Sequence, residues 1–223
     1  MTSGATFVSR LTEVDDLTRP DHAYLAEDDV CYFIGEYTAR QGYAYSATNQ
    51  LVYNFKKSVD RRGRPEWRYK EQAIRTAAAA FRAALNPEAL ERLTFVPIPP
   101  SKAKDDPLYD DRLTRMLRAI RAEPQLDVRE LIVQRVSTDA VHHADVRLRP
   151  DEIEALYRID EALTEPVPQF IAVVDDILTT GAHFRASKSV LSTRFPAAVV
   201  VGLFIARRVP NTSDLEDFDD GGR

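Results

Sequence analysis

Phe170-Ile171-Ala172-Val173-Val174-Asp175-Asp176-Ile177-Leu178-Thr179-Thr180-Gly181 is the stretch on which the reading of this chain turns. The apolar run 170–174 suits a strand covered on both faces, and two carboxylates follow it. After a short hydroxyl-and-glycine turn, Phe184, Ser187, Val190 and Leu191 recur at helical spacing. Open parallel sheets bind ligands beyond the carboxyl ends of their strands, which is where Asp175 and Asp176 are expected. Gly181 lets the backbone approach a ligand. The amides of Thr179-Thr180-Gly181 and the positive end of the new helix then make a phosphate cradle that needs no lysine. A side chain at 181 would fill that space. Carboxylates beside a phosphate would repel it unless they face the hydroxyls of a sugar that carries it. A five-carbon sugar phosphate meets both demands, provided that the acids are free of salt links and the crevice is not packed with apolar groups.

Working outward, strands and helices alternate. Ile74, Ala77, Ala78, Phe81 and Leu85 share one face of a helix that stops before Asn86-Pro87. Residues 93–98 read as a strand that Pro97, Pro99 and Pro100 turn into a rigid loop. Asp110 and Asp111 are placed to cap a helix with the stripe Leu113, Met116, Leu117 and Ile120. Residues 131–133 and 197–206 read as further strands. Residues 30–37 and 50–55 are aromatic-rich and fit two strands or a strand and a helix. Residues 60–65 form a charged turn, and residues 137–150 a long exposed loop of the kind that often carries function. This alternation predicts an α/β domain with a parallel sheet. Residues 1–25 read as a loose N-terminal arm and residues 210–223 as an acidic, disordered tail.

The 223 residues, 44% hydrophobic, suit one such domain. A net charge of −5 does not indicate a general nucleic-acid binder, although a local basic patch is compatible with it. One cysteine, Cys31, excludes an internal disulfide and a cysteine-based zinc ribbon, and in an apolar setting it reads as a small buried residue. The N-terminus has no signal-peptide pattern, and no stretch has the roughly 20 apolar residues of a membrane helix. A cytoplasmic location, away from membranes, is the expectation.

Residues 173–181 resemble the signature of the type I phosphoribosyltransferases, an apolar strand ending in two acids and then Thr-Thr-Gly. The resemblance covers about residues 50–207, most strongly 171–181. It implies a Rossmann-like parallel sheet flanked by helices over residues 26–209, with residues 26–65 as a small hood. In that family the acids hold the ribose 2- and 3-hydroxyls and the loop holds the 5-phosphate of 5-phosphoribosyl 1-pyrophosphate. Carried over by position, Asp175 and Asp176 take the first role, Thr179, Thr180 and Gly181 the second, and Ile177, Leu178, Ala182 and His183 complete the contact segment. His183 stands where the family usually has threonine.

Val96-Pro97-Ile98-Pro99-Pro100-Ser101-Lys102 resembles the Val-Pro-x-Pro loop of the competence protein ComF group, where the family binds pyrophosphate. Ser101, Lys102 and Lys104 are the contacts it implies. Residues 49–57 resemble the Leu/Ile-x-x-x-Lys segment of the same group, but the zinc-binding cysteines of that group are absent. The long loop stands in the place of the family's flexible loop, with Arg135, His142, His143 and Arg147 as candidates and His143 able to act as acid or base. Arg112, in the acidic run 105–112, is a further ligand candidate. The reaction implied is transfer of the phosphoribosyl group to a nitrogenous acceptor with release of pyrophosphate, aided by Mg²⁺ at Asp175 and Asp176, with Lys102 and His143 among the catalytic groups. The resemblance leaves a homodimer open. The rival reading is a non-catalytic sensor of the same ligand. A receiver-type phosphate switch fits less well, because the acidic pair follows the penultimate strand, and no P-loop motif occurs.

Overall fold

In the computed structural model, residues 9–138 and 148–210 are described. In chain order the elements are β1 (Thr12–Glu13), β2 (Cys31–Thr38), α1 (Ala47–Phe55), α2 (Trp67–Ala84), α3 (Pro87–Arg92), β3 (Thr94–Pro97) and α4 (Arg112–Ile120). They continue with β4 (Ile132–Gln134), α5 (Pro150–Leu156), β5 (Tyr157–Ile159), β6 (Phe170–Leu178), α6 (Ala182–Arg194) and β7 (Val199–Val209). The main sheet has the order β1-β2-β7-β6-β3, parallel throughout except for the short β1. Beyond β3 a single parallel bridge joins Phe95 to Val128.

The strands are apolar on both sides because helices cover both. Ala172 and Val174 of β6, with Leu203 and Ile205 of β7, pack against α2 and α4 through Ala77, Phe81, Met116 and Leu117. Ile171 and Val173, with Phe204, pack on the opposite side against Phe184, Ala186 and Leu191 of α6. The result is an α/β domain with a Rossmann-like sheet between two helical layers.

Several expectations change. Residues 50–55 are helical: Ser46 caps α1 by accepting a bond from the Asn49 amide at 3.0 Å. Residues 26–65 are not a separate hood, since β2 pairs with β7 along its length, from Cys31↔Gly202 to Thr38↔Val209. The strand at 131–133 leaves the main sheet and forms an antiparallel ribbon, β4 with β5. The segment expected to be a loose arm is anchored from Thr12 onward. β1 pairs with β2, and Val14 and His22 are each 1% exposed. That stretch is too polar to show an apolar pattern: Val14 is buried, but Leu17 is 89% exposed. The acidic tail lies almost wholly outside the described residues. No helix of the described residues is long and apolar enough to cross a membrane.

Candidate functional site

β6 stays in register with β7 as far as Leu178↔Arg207, so Asp175 and Asp176 are strand residues rather than loop residues. Successive strand side chains leave on opposite faces. Asp176 continues the row of Ala172 and Val174 toward α4, and Asp175 continues that of Ile171 and Val173 toward α6. The acidic pair is thereby divided between the two sides of the sheet.

Asp176 is 3% exposed and is held by two cations. Its Oδ2 accepts from Arg112 Nε at 3.2 Å and Nη2 at 2.7 Å, and its Oδ1 from Lys56 Nζ at 3.2 Å. Arg112 Nη1 also donates to Asp110 at 2.8 Å, and Asp110 accepts from the buried Lys70 at 2.7 Å. Lys70 donates further to the carbonyls of Phe55 and Lys57, at the end of α1. A row of alternating charge, Lys56–Asp176–Arg112–Asp110–Lys70, thus pins α1, α2 and α4 to the end of β6. Burial works to raise the pKa of Asp176, but Lys56 and Arg112 outweigh it and hold the group far below the usual carboxylate range. The requirement that both acids be free of salt links is therefore not met by Asp176. Asp110 joins this row and its Oδ1 also accepts from the amide of Arg112, the first of α4, at 3.3 Å, whereas Asp111, the residue before α4, makes no side-chain cap bond.

Among the described residues no salt bridge to Asp175 is formed. Its Oδ1 accepts from the Asp176 amide at 2.7 Å. Burial, and then the charge of Asp176, push its pKa up to about 7. On its side of the sheet the hydroxyl of Tyr157 bonds Nδ1 of the exposed His183 at 2.9 Å. Burial and the Asp175 charge raise the pKa of that phenol.

The turn after β6 is built on one left-handed residue. Gly181 takes φ 84°, in the left-handed region, and precedes the 13 residues of α6, whose first amides have no intrahelical acceptor. Thr179 is exposed and Thr180 half-buried. The back of the turn rests on the N-terminal segment: the Tyr24 amide donates to the Thr180 carbonyl at 2.8 Å, and the His22 ring bonds the Thr179 carbonyl. A Cβ on Gly181 would lie 2.9 Å from Leu25 Cδ2, so the space that this glycine keeps clear is taken by Leu25 and not by a phosphate.

The other candidates divide. Pro97 pairs with Val174, and the Ile98 amide donates to the Val174 carbonyl at 2.9 Å, which brings the proline loop to the level of Asp175. The Thr138 amide donates to the Ser101 carbonyl at 2.8 Å, which joins the base of the long loop to that loop. Lys104, however, pairs with Glu130 at 2.9 Å, and Lys102 stands within electrostatic reach of Asp106. Lys104 is thus committed to Glu130 rather than to Asp175 or Asp176. Arg135 is exposed and donates to the Tyr157 carbonyl at 2.8 Å. His142, His143 and Arg147 lie outside the described residues. Sequence reasoning missed Lys70, Tyr157, His22 and Leu25, and passed over Lys56, whose Lys-Lys neighbourhood reads as solvated surface.

The acids as arranged do not fit a direct magnesium seat. Asp176 has both oxygens committed to cations, and Asp175 gives up charge near neutrality. Among the described residues no group of three or more His, Cys, Asp or Glu could hold a metal. No family model matches the chain, and no curated protein is similar to it.

Proposed function

We propose that this chain binds 5-phosphoribosyl 1-pyrophosphate, with the 5-phosphate on the turn Thr179–Thr180–Gly181 and the start of α6, and Asp175 toward the ribose. The observation that carries the reading is the left-handed Gly181 between the acid-tipped β6 and α6, an anion seat beside a carboxylate whose pKa burial raises to about 7. Arg112 and Lys56 are the cations in contact with Asp176. A pyrophosphate carries more negative charge than Asp176 and would compete for both, freeing Asp176 for the sugar.

In the transfer reading, an acceptor nitrogen attacks C1, the C1–O bond to pyrophosphate breaks with its electron pair on the leaving oxygen, and the nitrogen then sheds its proton to solvent. Positive charge develops on the ring and negative charge on the leaving group, where Arg112 and Lys56 would stabilise it. The loss of one such contact costs about a hundredfold in rate. A second reading, a sensor that binds without turnover, is favoured by one observation: Asp176 is already neutralised.

Calorimetry with the sugar pyrophosphate, with and without magnesium, tests binding. Thr179→Glu places a negative charge in the phosphate seat at an exposed position and should abolish binding without changing the unfolding midpoint. Asp175→Asn should weaken binding by about tenfold, the scale of one hydrogen bond to a charged group. No heat from the parent chain, or equal binding by Thr179→Glu, overturns the assignment. Pyrophosphate release with a panel of nitrogen bases separates the enzyme from the sensor.

A further inference from the structure

The acidic chain carries one local cluster of positive charge between α1 and α2. Residues 53–69 hold Lys56, Lys57, Arg61, Arg62, Arg64 and Arg68 against only Asp60 and Glu66, although the whole chain is at −5. Aromatic rings stand among these cations and face solvent, where burial does not explain them: Tyr43 is 42% exposed, Tyr45 58%, Tyr53 60% and Tyr69 41%. Lys57 Nζ sits 4.9 Å from the Tyr53 ring centre and 6.0 Å from that of Tyr69, and Arg68 lies 4.9 Å from the latter. Tyr43 and Tyr53 meet edge to face at 5.4 Å and wall a groove of about 720 Å³ with Tyr37, Lys57 and Arg61. Across Tyr43 a second hollow of about 380 Å³ presents the amide side chains of Gln50, Asn54 and Gln72.

We propose that this surface, from Tyr43 to Tyr69, binds single-stranded nucleic acid. Phosphates would lie against the arginines and Lys57, bases would stack on the exposed tyrosine faces, and the amides would meet base edges. The alternation of solvent-facing rings with cations is what a flexible strand with unstacked bases uses and a duplex cannot. An acidic peptide would engage the cations alone and leave the rings unexplained. Lys56 pairs with Asp176, Lys57 bonds Asn54 and Arg68 bonds the Tyr69 hydroxyl, but among the described residues no salt bridge holds Arg62 or Arg64. Arg61 reaches Asp60 and Glu66 only at 3.7 Å, with all three side chains exposed, a geometry worth little in water. The surface does not depend on the sugar-pyrophosphate reading, and it adjoins that site at Lys56 and Ile177.

Fluorescence anisotropy with labelled oligothymidylate and oligouridylate tests the proposal. Binding is expected at micromolar strength in low salt. The dependence of log affinity on log salt should have a slope near −3, as expected for four or five neutralised phosphates on a single strand. Arg62→Glu with Arg64→Glu should weaken binding at least tenfold, and Tyr45→Ala with Tyr53→Ala at least fivefold. These positions are exposed, so an unchanged thermal midpoint confirms that the variants fold. No binding at low salt, equal affinity for a duplex of the same length, equal competition by polyglutamate, or indifference to either pair of substitutions overturns it.

Discussion

Arg112 and Lys56 hold the same carboxylate from very different surroundings. The Arg112 side chain is 18% exposed and that of Lys56 48%, while Asp176 between them is 4% exposed. Arg112→Ala would leave Asp176 buried with only a partly solvated partner and Asp110 with one cation fewer, and should cost ~3 kcal/mol in urea unfolding. Lys56→Ala removes a screened contact and should cost under ~1 kcal/mol. Equal losses for the two would mean that the row of charges is not organised by burial. Asp175 gives a prediction of opposite sign in pH. Its folded pKa, about 7, stands above the ~3.9 of an unfolded aspartate, so the folded state resists its ionisation. Its contribution is full below pH ~4 and is lost as pH rises through about 7. Asp175→Asn, which can still accept from the Asp176 amide, should therefore unfold at a higher urea midpoint than the parent at pH 8. The two should converge near pH 4.

At the scale of elements, the turn before α6 and the segment around His22 form one unit. Gly181→Ala imposes a left-handed conformation on a residue with a side chain and drives its Cβ into Leu25, at a combined cost of ~2 kcal/mol. Leu25→Ala in the same chain should return part of that loss, so the two substitutions should be non-additive in a denaturation cycle. Strict additivity would place Leu25 elsewhere. Nothing in the sequence signals this brace: Val14, His22 and Leu25 are scattered through a polar stretch without period. By contrast β6, α6, α2 and α4 were legible, because an unbroken apolar run and the i, i+3, i+4 spacing reflect burial directly. The split of the acids was legible in principle. The period of two that sorts Ile171 and Val173 from Ala172 and Val174 also sorts Asp175 from Asp176, once the strand is carried past Val174 to Leu178. The charge row was not legible, since Lys56, Lys70 and Asp110 come from three separate segments and meet only through the packing of α1, α2 and α4.

For the molecule as a whole, the sheet order decides how the chain can reach its native state. The long neighbour of β2 is β7, and the Cys31↔Gly202 register joins one of the earliest described residues to one of the latest. A nascent chain leaving the ribosome must therefore carry β2 unpaired, with Phe33 and Ile34 still in water, until β7 emerges. Contacts of such long separation form slowly. A force-sensing arrest peptide placed after successive lengths should register little pull until the tether clears residue 209, and then a single late peak. An early peak after α4 would mean that the amino-terminal half folds without its partner strand. On this topology a product of translation that ends before β7 leaves β2 without its long partner.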